Sequence, residues 1–284
     1  MQKESSYQLS IITINYNNAL GLEKTMQSVN NQTWNAFEHI VVDGNSTDDS
    51  LEVIKSFNYN NLKYISEPDL GIYNAMNKGI EKATGKYLLF LNSGDLLENE
   101  KTLENVHHYF ESDCSILAGN IIFEEDAKSR LREHPEVITF SYLVGNAISH
   151  PSTFINRDLF SKYGNYDESF KVVSDWAFFV KVLGLNNESF KKIPKVITVF
   201  DTKGVSSKKE NLNEIYQERE KVLQSYFPRI FNNENDRYIF NKFISADKRF
   251  EYLKKLEDYS LFRKIATIKL GALVWIAKLF HKEK

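Results

Sequence analysis

The sequence predicts an α/β fold on a mainly parallel sheet, from two observations. Between residues 9 and about 120, apolar runs of strand length alternate with stretches of helical periodicity. Polar and acidic residues follow the apolar runs, at the carboxyl ends of the strands, which is where open parallel sheets bind ligands.

LSIITI (9–14) is the first strand, and helical spacing over 19–32 follows through Leu22, Met26 and Val29. HIVVD (39–43) is the second, with Ser46, Thr47, Asp48 and Asp49 as helix-start residues before Leu51, Val53, Ile54 and Phe57. LKYIS (62–66) is the third. GIYNAMNKGIEKA (71–83) sets Ile72, Met76, Gly79, Ile80 and Ala83 on one helical face, and KYLLFLN (86–92) is the fourth strand. A helix over 101–111 and a strand over 114–122 complete the series, and helices of this length between strands imply right-handed crossovers. Beyond 125 the alternation loosens into HPSTFI (150–155), a turn KYGNYD (162–167), a helix from about Asp175 to Leu183 and a strand over 191–200. Residues 208–260 read as charged helices.

The 284 residues, 42% of them hydrophobic, suffice for one substantial domain with an appendage or for two small domains. With 36 Lys and Arg against 38 Asp and Glu, a global attraction to nucleic acid is excluded, and no nucleic-acid partner is expected. A lone cysteine, Cys114, excludes a disulfide framework and a multi-cysteine zinc site. Polar residues 1–8 carry no signal-peptide pattern, so a cytoplasmic location is expected.

The strand exits read Asn15-Tyr16-Asn17, Asp43-Gly44-Asn45-Ser46, Glu67-Pro68-Asp69 and Asn92-Ser93-Gly94-Asp95. No GxGxxG follows a strand and no GxxxxGK[ST] occurs, which argues against dinucleotide and P-loop chemistry. The other way to hold a diphosphate is a hard divalent cation bridging its oxygens to a carboxylate, and Asp95 is placed for that, with Gly94 giving room for a sharp turn. The same four residues also read as a plain strand-terminating turn. Asp43 reads either as an acceptor for the imide N–H of a uracil or thymine or as a cap of the next helix. Tyr16 reads as a flank for the base or as core filling, and Asp175, beside Ser174, as a helix-start residue.

In order, LSIITINYNN, HIVVDGNSTDDS, SEPDLGIYNAMNKGIEKATGKYLLFLNSGD and HPSTFINRDLFSKYGNYDESFKVVSDWAFFVKV resemble the family 2 glycosyltransferases, over about residues 8–200. The resemblance implies a GT-A fold, a Rossmann-like, mainly parallel central sheet flanked by helices. Here it would occupy residues 1–204 as the catalytic domain, with 1–122 as the nucleotide-sugar half, 123–204 as the acceptor half and 205–284 as a helical extension. It implies that Tyr16 and Asp43 surround the donor base, that Asp69, Gly71, Asn74 and Asn77 look toward its ribose and sugar, and that Ser93-Gly94-Asp95 stands where the family carries its DxD signature. Asn92 and Gly94 replace acids in that signature, which leaves Asp95 as the one metal-binding carboxylate, for Mg²⁺ or Mn²⁺. Asp175 matches the general base of inverting enzymes. His150, ahead of a strand-like HPSTFI, reads either as a residue facing the acceptor or the leaving group or as a structural histidine.

The expected activity is inverting transfer of a sugar from a nucleoside diphosphate, UDP in the first place, to a glycan or lipid-linked acceptor in bacterial surface polysaccharide synthesis. Two rivals remain: a nucleotidyltransferase, which would want a basic glycine-rich loop after the first strand, and a non-catalytic sugar-nucleotide or glycan binder, suggested by the missing acids. At the carboxyl end, Lys269 and Lys278 bracket eight apolar residues, 270–277, against the ~20 that span a bilayer. Residues 262–284 therefore read either as a basic amphipathic helix on an anionic membrane surface, which would make the enzyme peripheral on the inner face of the plasma membrane, or as a helix docked on its own domain or on a second subunit in a homodimer.

Overall fold

The computed structural model describes residues 7–125, 128–202, 212–238, 252, 255–256 and 259–280. The first strand, β1 (Leu9–Asn15), and β2 (Phe37–Asp43) are buried along their whole length, as befits mainly apolar central strands covered on both faces, and their polar members pair inside, Ser10 with Glu38 and Thr13 with His39. They pair in parallel and in register, Leu9 opposite Phe37 through Asn15 opposite Asp43. β3 (Leu62–Ser66) adds to β2 as an edge, and β4 (Tyr87–Phe90) pairs with β1 on the other side. The connecting helices are α1 (Ala19–Asn30), α2 (Ser50–Ser56) and α3 (Ile72–Lys82).

After β4 come the two-residue β5 (Leu96–Leu97), α4 (Thr102–Val106) and β6 (Ile116–Glu125), which β7 (Lys128–Arg132) joins as a hairpin. Next follow α5 (Phe140–Gly145), β8 (Thr153–Asn156), α6 (Asp158–Tyr163) and α7 (Ser174–Phe179), which runs on in π-helical turns over Val180–Leu185. β9 (Phe190–Asp201) closes the series. The sheet order is β3-β2-β1-β4-β8-β6-β9-β5. β8 inserts antiparallel between β4 and β6, so β6 is not the next parallel neighbour that the simple alternation suggested. Direction is nonetheless kept: β6 and β9 are parallel to each other and point the same way as β1 to β4, while β5, β7 and β8 oppose them. The carboxyl ends of β1, β2, β3, β4, β6 and β9 thus share one edge.

α8 (Leu212–Tyr226) begins within the region read as extension, yet it belongs to the first of two compact units, Met1–Tyr226. Its buried Glu218 accepts the backbone N–H groups of Lys171 and Val172, at 2.8 and 3.1 Å, tying it to the segment before α7. The second unit, Phe227–Lys284, contains α9 (Pro228–Phe231) and α10 (Ser260–Phe280). Within it α10 exposes Leu261, Phe262, Ile268, Leu273 and Trp275, and among the described residues no helix is long and apolar enough to cross a membrane.

Three buried histidines, His39 and His134 foremost and His150 with them, make the fold acid-sensitive. His39, on β2, sits between Thr13 Oγ1 at 2.9 Å and Tyr59 Oη at 2.5 Å, and burial pushes its pKa down to about 3. Burial, and then the charges of Arg132 and Lys192, push that of His134 down to about 4. Both stay neutral in the folded chain at pH 5, whereas an unfolded histidine takes up its proton near 6.5. Stability present above about pH 6.5 is therefore lost as the pH falls toward 4. Urea unfolding should show a loss of roughly 2 kcal/mol per buried histidine between pH 7 and pH 5. His39→Gln should flatten that fall, and a pH-independent midpoint would contradict the neutral buried state.

Candidate active site

The register of β1 and β2 brings Asn15 beside Asp43, whose carboxylate is fully buried. Oδ1 accepts from Asn15 Nδ2 at 2.9 Å and from the Ser46 hydroxyl at 2.5 Å; Oδ2 accepts from Ser46 N at 3.1 Å and from the Ser66 hydroxyl at 2.8 Å. Burial works to raise its pKa, but these hydrogen bonds outweigh it, and the group stays below its ordinary value. Asp43 is thus an anion that locks the exits of β1, β2 and β3 together. Tyr16 stands beside it, 67% exposed. A Cβ on Gly44 would come within 2.4 Å of Asp69 Oδ2 and 3.2 Å of the Tyr16 ring, so only a glycine lets Tyr16 and Asp69 converge there.

The turn after β4 is shaped by one buried hydroxyl. Thr25 of α1 accepts from Gly94 N at 2.9 Å and donates to the carbonyl of Asp95 at 2.8 Å, while Asp95 N closes the turn on Asn92 O at 2.9 Å. Asn18 donates to the Ser93 carbonyl at 3.1 Å. Gly94 has φ 107°, and a Cβ there would meet Asp201 Oδ2 at 3.2 Å. Asp95 is 3% exposed: its Oδ1 accepts the backbone N–H of Asp201 at 3.1 Å, and its Oδ2 has no hydrogen-bond partner. Burial first, and then the Asp201 carboxylate, push the Asp95 pKa up to about 8.

Asp201 was not singled out from the sequence, which ended that strand at Phe200. It reaches the site because β9 is parallel to β6 and because β5, directly after Asp95, pairs antiparallel with Val199 and Thr198. A buried carboxylate oxygen without a partner, facing a second carboxylate, is a donor set that suits a hard divalent cation, whose charge would relieve both the repulsion and the missing contact. Among the described residues no cluster of three or more potential ligating side chains is present. Two carboxylates would leave the other positions of such an ion to phosphate and water.

Further along the same edge, α3 faces α7. The Tyr73 hydroxyl donates to Asp175 Oδ1 at 2.9 Å, and burial, then the Asp175 charge, raise the tyrosine pKa well above its ordinary value. Tyr73 is turned inward at 5% exposure while Ile72, expected on the inner face, is 36% exposed. The rest of the expected face, Met76, Gly79, Ile80 and Ala83, is buried, and the polar-tipped Tyr73 and Asn77 beside it find partners inside. Asn77 is buried for that reason: it donates to Tyr166 O at 2.9 Å and Glu168 Oε1 at 2.8 Å and accepts from Tyr166 N at 3.0 Å, so its amide holds the 166–168 segment. Asn74 likewise donates to Glu168 Oε2 at 3.0 Å. His150 stacks on Phe90 at 4.6 Å and meets the Tyr166 hydroxyl at 2.8 Å; burial keeps its pKa low, against the pull of Asp175, and the ring is neutral.

Asp175 and His150 line a cavity of about 260 Å³ that also takes in Trp176, Phe200, Arg132 and Arg219. The site therefore gathers two acidic centres at one sheet edge: buried Asp95 with Asp201 at the turn after β4, and Asp175 at the wall of a cavity.

Residues 10–183 match the family model described as Glycosyl transferase family 2. An uncharacterized glycosyltransferase of Mycobacterium tuberculosis (strain CDC 1551 / Oshkosh) is 34% identical over 209 residues, covering 71% of this chain and 78% of its own. A PGL/p-HBAD biosynthesis glycosyltransferase of Mycobacterium bovis (strain BCG / Pasteur 1173P2) is 32% identical over 177 residues, 61% of this chain and 68% of its own. Among solved structures, S. aureus TarS 1-349 in complex with UDP-GlcNAc superposes with a TM-score of 0.61 at 19% identity, covering 88% of this chain and 80% of that one. The mannosyltransferase PcManGT from Pyrobaculum calidifontis, in complex with GDP-Man and Mn2+, gives 0.59 at 14% identity, covering 95% and 80%. These likenesses show the fold, that of the GT-A glycosyltransferases, as the sequence predicted.

A carboxyl whose pKa is raised on folding takes stability away as the pH climbs from about 4 through 8 and takes none below that interval. Asp95→Asn should accordingly raise the melting temperature of the protein in EDTA, by more near pH 9 than near pH 6. Scanning fluorimetry at both values tests this, and a lowered melting temperature at high pH would refute the like-charge arrangement with Asp201.

Proposed function

The chain belongs to glycosyl transferase family 2, and from that premise we propose an inverting transferase that moves a sugar from a UDP-sugar to a hydroxyl of a glycan or lipid-linked acceptor in bacterial surface polysaccharide synthesis. One observation carries the reading: two acidic centres with opposite surroundings share the carboxyl edge of the sheet. An inverting displacement needs both, one to take the proton of the attacking hydroxyl and one to favour departure of the diphosphate.

On the donor side, exposed Tyr16 flanks the base, and Asp43 accepts its imide N–H once the rotatable hydroxyl of Ser46 or Ser66 gives up its place. Asp69 faces the ribose across Gly44, and Gly94, which has no side chain, leaves room beside Ser93 for the diphosphate. Asn77 acts at one remove, by fixing the 166–168 segment beside the donor sugar. Asp95 and Asp201 would hold a divalent ion, Mg²⁺ or Mn²⁺; when bound it would neutralise charge gathering on the leaving diphosphate. The Mn2+ in the mannosyltransferase complex and the UDP-GlcNAc in the TarS complex support this choice of partners.

On the acceptor side, the Tyr73 hydroxyl fixes Asp175 through Oδ1 and leaves the other oxygen without a donor among the described residues, free for the acceptor hydroxyl. Neutral His150 closes the wall of that cavity. α10, with exposed Leu273 and Trp275 interleaved with Lys269 and Lys278, is read as an interfacial helix that brings the enzyme to anionic lipid. Flotation with anionic vesicles tests that part: the full chain should float, Leu273→Glu with Trp275→Glu should not, and equal recovery of both would overturn it.

The decisive measurement is a panel of nucleotide sugars assayed for metal-dependent nucleoside diphosphate release, with and without glycan acceptors. Asp175→Asn should bind the nucleotide as the wild type does but lose transfer by about 10²- to 10⁴-fold. Asp95→Asn and Asp201→Asn should each weaken Mn²⁺ binding, read by calorimetry apart from turnover. Full transfer by Asp175→Asn would remove it as base, and an Mn²⁺ affinity unchanged in Asp201→Asn would remove that residue from the metal site.

A further inference from the structure

The cavity beside Asp175 holds a feature that donor chemistry does not use. Arg219, on α8, lays its guanidinium over the Trp176 ring at 4.7 Å. Its Nε is buried without a hydrogen-bond partner, and the side chain makes no hydrogen bond or ion pair with any described residue. Arg132, at the end of β7, lines the same cavity and spends one guanidinium hydrogen bond, from Nη2, on the carbonyl of Ala147 at 2.7 Å. Two arginines thus face a cavity whose one carboxylate, Asp175, is already engaged by Tyr73. Burial lowers the Arg219 pKa, offset in part by Asp175 and Tyr216, while the like charge of Arg132 works in the same direction as burial.

A guanidinium group keeps its charge in a protein, so an unpaired N–H in such a place is a cost that a bound anion would remove. A planar carboxylate matches the fork of one arginine, whereas a tetrahedral phosphate offers oxygens to two arginines arriving from different elements. The rest of the lining is mainly apolar, which strengthens each charge-assisted hydrogen bond. Since the proposed base stands in the same cavity, the molecule that fills it is the acceptor.

We propose that the acceptor carries a phosphate ester next to its reacting hydroxyl, and that Arg132 and Arg219 grip this phosphate so that the hydroxyl lies against Asp175. The phosphate belongs either to a phosphodiester within a glycan chain or to the diphosphate of a lipid carrier. The inference rests on the transferase reading above for the word acceptor, but the anion site stands or falls by itself. No covalent step involves the arginines; they position.

The test is calorimetric titration of the full chain with glycerol 1-phosphate, with glycerol and propionate as controls and UDP titrated in parallel. Wild type should bind glycerol 1-phosphate in preference to both controls, with an affinity that falls as NaCl rises. Arg219→Gln and Arg132→Gln should each weaken it about tenfold or more, as expected for a lost charge-assisted hydrogen bond, and leave UDP binding unchanged. Arg219→Lys, which keeps the charge over Trp176 but not the fork, should fall between. If Arg219→Gln melts early, Arg132→Gln and the salt series on the wild type decide. In turnover assays the arginine variants should raise KM for a phosphate-bearing acceptor and leave kcat nearly unchanged. A soluble sugar phosphodiester and a polyprenyl-diphosphate sugar in detergent distinguish the two sources of phosphate. Wild type that ignores glycerol 1-phosphate, or binds glycerol or propionate equally well, overturns the inference. Loss of UDP binding with retained, arginine-dependent phosphate binding would instead overturn the donor reading and leave the anion site intact.

Discussion

Everything at the working edge depends on the in-register parallel pairing of β1 with β2 and β4. Because Asn15 falls opposite Asp43 and Ile12 opposite Phe90, three chain exits end at nearly one level. A slip of one residue would turn every side chain of β1 to the other face and carry Asn15 away from Asp43. The buried Asp43 carboxylate holds that level, since its four acceptor contacts come from β1, the loop after β2 and the end of β3. An anion surrounded in this way costs little to bury and much to leave unmatched, so the polar edge is as firmly specified as the apolar core beneath it.

The two acidic centres differ because their supports differ. Asp95 is buried in a turn braced by hydrogen bonds to Thr25 and Asn92. Asp175 stands at the wall of a cavity, oriented by a hydroxyl from a different helix. Environment rather than residue type separates a carboxylate suited to a cation from one suited to a proton.

Much of the fold was legible in the sequence, and the reasons can be given strand by strand. β1, β2 and β4 are short runs dominated by branched and large apolar residues, which fixes their identity and, through the polar residues after them, the location of the site. Periodicity carries no information about which distant strands pair, so β8 between β4 and β6 could not be foreseen. On α3 the face through Met76, Gly79, Ile80 and Ala83 is buried as expected, but Ile72 is not, and Tyr73 and Asn77 are held inside by partners on segments about ninety to a hundred residues away. Asp201 closes the strand KKIPKVITVF as an ordinary polar end, and only its hydrogen bond to Asp95, 106 residues earlier, gives it meaning. Arg219 was one charge among many in a stretch that reads as a solvated helix. Its signal, had it been sought, was the apolar company of Ile215, Val222 and Leu223 on one face of α8.

Thr25 has a bearing on how this enzyme could change. Its hydroxyl serves the turn as donor and acceptor at once, from a helix that precedes the turn by some seventy residues. Serine alone among common replacements offers both functions at that reach, and valine, identical in outline, offers neither. A lineage or a laboratory library that varies residues 92–95 in search of new donors is therefore bound to a position it would not think to include. Drift at 25 would alter the turn proposed to receive the diphosphate while leaving residues 92–95 unchanged, and on that proposal divergence in donor choice can be inherited through α1.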